Sequence, residues 1–449
     1  MTTPIRPWGQ RSLALPQRAT HSLRLRLLLP LLLASLFTLA ACGGGTDRTK
    51  AQVRLVNAAD VQGYPSLELG VDGTPRQGNV GYGQTAAYIE VEPSKTASTI
   101  SASGSPTALL SFMPSLGRDK HYTVLAFGGT GALRQLLIDE NLGQPAANRA
   151  SLRVINAAPD AGNLDVYVTA AGDGLATSVA VRAGAAYGEL SPVIDVASGT
   201  WRVRVAAANS KTDVRLDLRE VALASRQALT LVLTPSRGGA LVNALLLVQE
   251  GGVARLDSTQ ARVRVVAGVS DSGAVSATLG GTPLLASIGS PAVGDYALVS
   301  AGTPPLAIEV NGGPLGAPAT VLAAGGDYTL LVYGALAAPL AAWVEDNNRL
   351  PTVSGQVNIR LVNAASALPG ALSMTVNARP VAGSVAAGTA SAPYLGVAAS
   401  EAAAISVTMV GAVTPVFSAS GQRLIAGGTY SVFVVGTSGA TSGMLFQDR

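Results

Sequence analysis

Cysteine is almost missing from this chain. Cys42 is the only one among 449 residues, so no intramolecular disulfide is possible. Histidine is nearly as scarce, with only His21 and His121. One histidine beyond residue 41 and no cysteine to spare exclude the usual zinc sets. Aromatics are 4% of the chain and charged residues 13%. No G-x-S-x-G nucleophile elbow occurs. Beyond residue 41 no apolar run is long enough for a transmembrane helix. There is also no polar low-complexity tract of the kind that predicts long disorder.

The N-terminus is different in character. Arg6, Arg11, Arg18, Arg24 and Arg26 precede an apolar run, Leu27 to Ala41, with no acidic residue among them. A basic head, a short apolar middle and small residues at its end form a secretory signal, assigned to residues 1–41. The run is too short to span a bilayer comfortably, and Pro30 breaks it. The residues "LAAC", Leu39 to Cys42, followed by Gly43 to Gly45, resemble the lipobox of bacterial lipoproteins. That resemblance makes Cys42 the lipidation site and residues 42–50 the lipidated cysteine and its linker. It implies three acyl chains, enough for stable membrane attachment where a single chain holds only marginally. Gly43 in place of an aspartate favours the outer membrane, by analogy with enteric lipoproteins.

Removing the signal changes the charge balance. The whole chain has 31 basic and 27 acidic residues; without the five signal arginines, 26 basic residues face 27 acidic ones, a net charge of −1. No basic surface favours nucleic acid or anionic lipid.

What the chain has in quantity is itself, repeated. "RLVNAA" starts at Arg54 and again at Arg360, "RVINAA" at Arg153 and "RVVAGV" at Arg264, with spacings of 99, 111 and 96. A tyrosine follows each arginine: Tyr88, Tyr187 and Tyr394 after 34 residues, Tyr296 after 32. A third landmark closes each unit: "KHYTVLAFGG", "GDYTLLVYG", "GTYSVFVVG" and, in the second, the weaker "QALTLVLT". Such a period is too long for a solenoid and fits whole tandem domains. The units are repeat 1 (51–149), repeat 2 (150–258), repeat 3 (259–354) and repeat 4 (355–449).

Each unit reads as strands. In "QVRLVNAA", Val53, Leu55 and Asn57 share one face, expected to be the core; Arg54, Val56 and Ala58 share the other, with the arginine head expected in water. Asn57, Asn156 and Asn363 fall at strand ends, where an asparagine can bond the backbone of the following turn. Asp72-Gly73 and Gly280-Gly281 supply the positive φ of tight hairpins, and Pro75, Pro283 and Pro380 just beyond suit edge strands. Six or seven short strands per unit, with turn signals about every ten residues, predict an all-β chain of tandem immunoglobulin-like antiparallel β-sandwiches.

The segment Arg153 to Val168, "RVINAAPD…LDVYV", the mid-domain tyrosine and the late "G-x-Y-T" run together resemble the bacterial domain of unknown function numbered forty-three ninety-seven. The resemblance covers nearly all of the chain after the signal. It implies a secreted or lipid-anchored protein of tandem sandwiches and carries no activity across. Repeat 3 departs from the pattern, with Ala267 and Gly268 in place of Asn-Ala.

Candidate chemistry is sparse. His121 reads as a solvated strand-edge residue rather than a catalytic base. Asp160 with Asp165, and Glu345 with Asp346, lack the spacing of a calcium loop and read as turn caps or solvated strand ends. The glycine-rich pieces Gly128 to Ala132 and Gly436 to Gly443 read as hairpin loops, because a phosphate cradle needs a following helix. The four recurrent tyrosines fit either buried loop ties or, less well, a sugar platform. No catalytic, cofactor or metal residue is assigned. The expectation is a non-enzymatic cell-envelope lipoprotein: a spacer, adhesion or binding module held to the membrane by its lipid. The alternative is recognition of a polysaccharide or another envelope protein by sandwich-end loops, and an enzyme of unfamiliar type stands third.

Overall fold

The computed structural model describes residues 47–59, 63–94 and 97–449. Residues 1–46, including the signal and Cys42, lie outside the described residues. Every named element among those described is a β-strand, and the strands form eight sheets.

Repeat 1 shows the plan. Its strands are β1 (Ala51–Ala59), β2 (Ser66–Val71), β3 (Thr74–Gly81), β4 (Ile89–Val91), β5 (Ser98–Ala102), β6 (Ala108–Phe112), β7 (His121–Gly128) and β8 (Arg134–Asp139). One sheet runs β4-β1-β7-β8 and the other β3-β2-β5-β6. The two faces meet in a core of Val53, Leu55, Leu67, Leu69, Ile100 and Val124. The other three repeats have the same two-sheet plan, with extra short strands in some.

The expected tandem sandwich is therefore present, and it contains one feature beyond the antiparallel expectation. β1 pairs with β7 in parallel, from Gln52↔His121 to Ala59↔Gly128. The same parallel pair recurs in each repeat: Leu152↔Leu229, Val265↔Leu330 and Leu361↔Val432. A parallel pair cannot close through a tight turn; here the rest of the sandwich is the crossover.

Hairpin chemistry follows the residues. Asp72 and Gly73 have φ of 53° and 72° and turn β2 into β3, and Gly280-Gly281 turn the matching hairpin of repeat 3 with φ of 56° and 81°. Pro75, Pro283 and Pro380 all lie in edge strands, where a missing N–H costs no ladder bond. Both glycine-rich pieces fall at hairpins, as expected, but in the second only Ser438 and Gly439 form the turn, and the residues on either side belong to the paired strands.

The arginine-bearing face departs from expectation. Val56 and Ala58 do not face water. They pack with Leu125 and Phe127 against Ile155, Ala157, Val232 and Leu245 of repeat 2. Val266, Leu331 and Tyr333 of repeat 3 pack likewise against Val362, Phe433 and Val435 of repeat 4. The parallel sheets are thus buried on both faces, as sheets with parallel pairing usually are. The sandwiches associate in two pairs, 1 with 2 and 3 with 4. Backbone bonds also join repeat 2 to repeat 3, Gly238 N–H to Gly325 O at 2.8 Å and Asn348 N–H to Gly238 O at 2.9 Å.

Repeat 3's sequence departure has a packing cause. A Cβ on Gly268 would sit 2.8 Å from Val435 of repeat 4, so the glycine permits the close approach of that seam.

Candidate functional site at the repeat seams

The repeated arginines converge on these seams. Arg54, Arg153, Arg264 and Arg360 are 2%, 7%, 0% and 1% exposed, which overturns the expectation of a wet guanidinium. They project from the sheet face that the paired repeat covers, so the long side chain has no route to solvent. Burial of a charge on this scale requires pairing and hydrogen bonds.

The partners come from the ends of the repeats. Arg360 Nη2 donates to Asp346 of repeat 3 at 2.5 Å and Nε donates to Ser431 at 2.8 Å. Arg264 Nε donates to Thr329 at 2.9 Å, and its Nη1 lies 2.6 Å from Asp448 of repeat 4. That second contact is a close ion contact outside hydrogen-bond alignment, because neither terminal nitrogen of Arg264 has an aligned acceptor. Arg54 donates to Glu140 at 2.7 Å and Thr123 at 2.8 Å, and across the seam to the carbonyls of Val248 and Gly251. Repeat 2 ends in Val248-Gln249-Glu250 rather than with a buried acid. Gln249 instead bonds the Leu142 backbone through both its amide atoms. Burial lowers the pKa of Arg153, while Glu140 and Asp139 oppose the shift.

The tyrosines complete the arrangement. Tyr88, Tyr296 and Tyr394 lie under Arg54, Arg264 and Arg360 at 4.9, 4.6 and 4.7 Å, in cation–π range. Tyr187 of repeat 2 instead lies under Arg134 of repeat 1, at 5.0 Å. The Tyr88 hydroxyl donates to Glu140 and that of Tyr296 to Asp346. These tyrosines hold arginines and acids rather than loops. Burial, and then the Glu140 hydrogen bond, push the Tyr88 hydroxyl well above its usual range. Burial is the largest influence on Asp346 and would raise it, but Arg360 and Arg264 outweigh it and leave the carboxyl below the usual carboxylate range.

The remaining sequence candidates fall as follows. Asp346 is not a solvated strand end: it is buried and accepts from Arg360, Thr329 and Tyr296. Glu345 pairs with Arg237 of repeat 2 at 2.6 Å. Asp165 caps loops, accepting from the backbone N–H of Gly184 and Asn209, and Asp160 accepts from Leu350 N–H. His121 is half-buried at the seam, edge-on to Tyr88 at 5.2 Å and 4.0 Å from the Glu250 carboxylate, rather than freely solvated. Among the described residues no cluster of three or more His, Cys, Asp or Glu could hold a metal. Cys42 lies outside the described residues.

The asparagines do what was expected of them. Asn57 accepts from Ala59 N–H at 3.0 Å and donates to Val80 O at 3.0 Å. Asn156 and Asn363 make the same contacts in repeats 2 and 4. Repeat 3 lacks the asparagine, and Ser290 substitutes: its hydroxyl accepts from Val269 N–H at 3.1 Å and donates to Gly273 O at 2.9 Å.

A cavity of about 450 Å³ opens where repeats 1, 2 and 3 meet, lined in part by Tyr82, Arg237, Asn243, Arg255, Asp257 and Ser258.

The fold and its seams define a class: a tandem array of β-sandwiches joined in pairs through buried arginines. Residues 49–167 and 261–374 match the domain of unknown function DUF4397, and the chain belongs to that family. Each matched stretch covers one sandwich and the opening strands of the next. No curated protein matches the chain. Of solved structures, the Bacillus anthracis TIE protein is similar at 8% identity over 82% of this chain and 66% of that one, with a TM-score of 0.14.

Proposed function

We propose that this protein is a non-enzymatic lipoprotein of the bacterial cell envelope, anchored through Cys42 at the outer membrane, whose paired sandwiches form a spacer or binding body. The observation that carries the reading is the "LAAC" sequence at the end of a basic and apolar leader. The seams support the non-enzymatic part. Arg54, Arg264 and Arg360 are held in ion pairs with Glu140, Asp448 and Asp346, and a tyrosine whose pKa is raised stays protonated at neutral pH and so is no ready nucleophile.

Fractionation of cells expressing the Cys42→Ser variant tests the anchor. The variant is expected in the soluble envelope fraction while the wild type stays with membranes; equal membrane retention would sink it. Recognition of an envelope polysaccharide is the second reading. It is favoured by the cavity where repeats 1, 2 and 3 meet, in which Tyr82, Asn243 and Ser258 stand beside Arg237 and Arg255, each paired with an acid, a mixed surface of the kind that takes sugars. A glycan array with no signal above background removes it.

A further inference from the structure

The second sheet of repeat 3 differs from that of repeat 2 at one edge. In repeat 2 the strand Gly199–Ala207 pairs with Val214–Leu223 along its length, including Val205↔Leu216 and Gly199↔Leu223. In repeat 3 the strand Leu306–Val310 keeps only Gly313–Pro314. Leu315 N–H still donates to Ile308 O, and the ladder then resumes at Gly302↔Leu322. Between these two anchors, residues 316–321 arch off the sheet. Pro304, two residues past Gly302 on the side that faces them, offers no N–H to hold them, and Pro318 sits within the arch.

The two anchors fix the correspondence between the repeats. Trp201, Leu218 and Val221 of repeat 2 become Pro304, Ala317 and Thr320 in repeat 3. An indole and a leucine side chain are thereby lost from this end of the sandwich. Trp343 restores part of the bulk. It stands opposite Leu330, where the other repeats place Leu137, Leu246 and Leu445. Its indole N–H donates to Pro318 O at 3.1 Å. What remains is a cavity of about 400 Å³ lined by Leu279, Leu306, Leu315, Ala317, Pro318 and Trp343, among others. No ionisable side chain lines it.

We propose that this cavity binds an uncharged aromatic molecule of about indole size. Its ring would occupy the space of the Trp201 ring in repeat 2 and lie against Trp343. The volume falls within the range of small-molecule sites. A pocket walled mainly by apolar side chains takes up apolar guests, and with no ionisable side chain to pair a buried charge it disfavours charged ones. Thr303 and Thr320, which also line it, offer hydroxyls to one polar atom of the guest. The site is independent of the anchor and of any glycan recognition.

Calorimetric titration of the full chain with indole tests the proposal, with benzoate as the charged comparator. Saturable indole binding is expected, together with none for benzoate. Ala317→Leu, which restores the side chain of repeat 2, is expected to weaken indole binding by at least about tenfold without lowering the thermal midpoint. Thr320→Leu is a second filled variant should the first fold poorly. No saturable heat from the wild type up to the solubility of indole overturns the proposal, and so does undiminished affinity in a folded filled variant.

Discussion

Arg360 of repeat 4 and Asp346 of repeat 3 form a buried ion pair of 2.5 Å, and Arg264 of repeat 3 returns the exchange with Asp448 of repeat 4. Each sandwich supplies the cation for its neighbour's acid. The seam is therefore reciprocal, with the near-twofold logic of an isologous interface written into one chain.

Breaking one half of this exchange leaves an uncompensated charge indoors. Arg360→Met is expected to destabilise the protein by about 3–5 kcal/mol in denaturant unfolding, whereas Arg360→Met combined with Asp346→Leu recovers most of the loss. A double variant as unstable as the single one would contradict the ion-pair account.

Acid should loosen the same seam. The Asp346 carboxyl has a lowered pKa in the folded protein. Its contribution is thus complete above the unfolded value of about 3.9 and is lost as pH falls through the folded value. Thermal midpoints measured from neutral pH downward are expected to drop below about pH 4, and less steeply in Asp346→Asn. Identical slopes for the two proteins would rule this out.

The strand-end asparagine is a structural tie. Asn57→Ala would strand the Ala59 N–H and the Val80 carbonyl in a buried site, at a cost of about 1–3 kcal/mol. Ser290→Ala in repeat 3 should cost a similar amount, because that hydroxyl does the same work. Urea midpoints of the two variants check both, and a neutral Ser290→Ala would end the equivalence.

Phe433 is fully buried between repeats 3 and 4. Phe433→Ala should cost about 3–5 kcal/mol and raise amide exchange in the strand Asp327–Ala335 of repeat 3 as well as in repeat 4. Faster exchange confined to repeat 4 would mean that the seam does not couple them.

Much of this was legible in the residues. The hairpin at Asp72-Gly73, the cap at Asn57 and the strand content followed from local chemistry, which needs only near neighbours in sequence. The destination of Arg54 did not. An alternating strand with an arginine reads as half-exposed, and only tertiary pairing reveals a second sandwich on that face. A signal was present in the partner strands: "TVLAFG" and "SVFVVG" are apolar on both faces, the mark of a strand covered on two sides. The acids Glu140, Asp346 and Asp448 stand at the ends of repeats 1, 3 and 4, but nothing local distinguishes a buried counter-ion from a solvated terminus. The cavity beside Trp343 arises from substitutions that show their meaning only once two repeats are aligned through their ladders.

Because repeats 3 and 4 lend one another their counter-charges, neither can be dropped by itself. Excising repeat 4 alone would leave Asp346 without Arg360 and expose the apolar flank that Val266 and Leu331 contribute. An array assembled on this rule gains or sheds sandwiches in twos, and the unit that natural shuffling can copy intact is the couple.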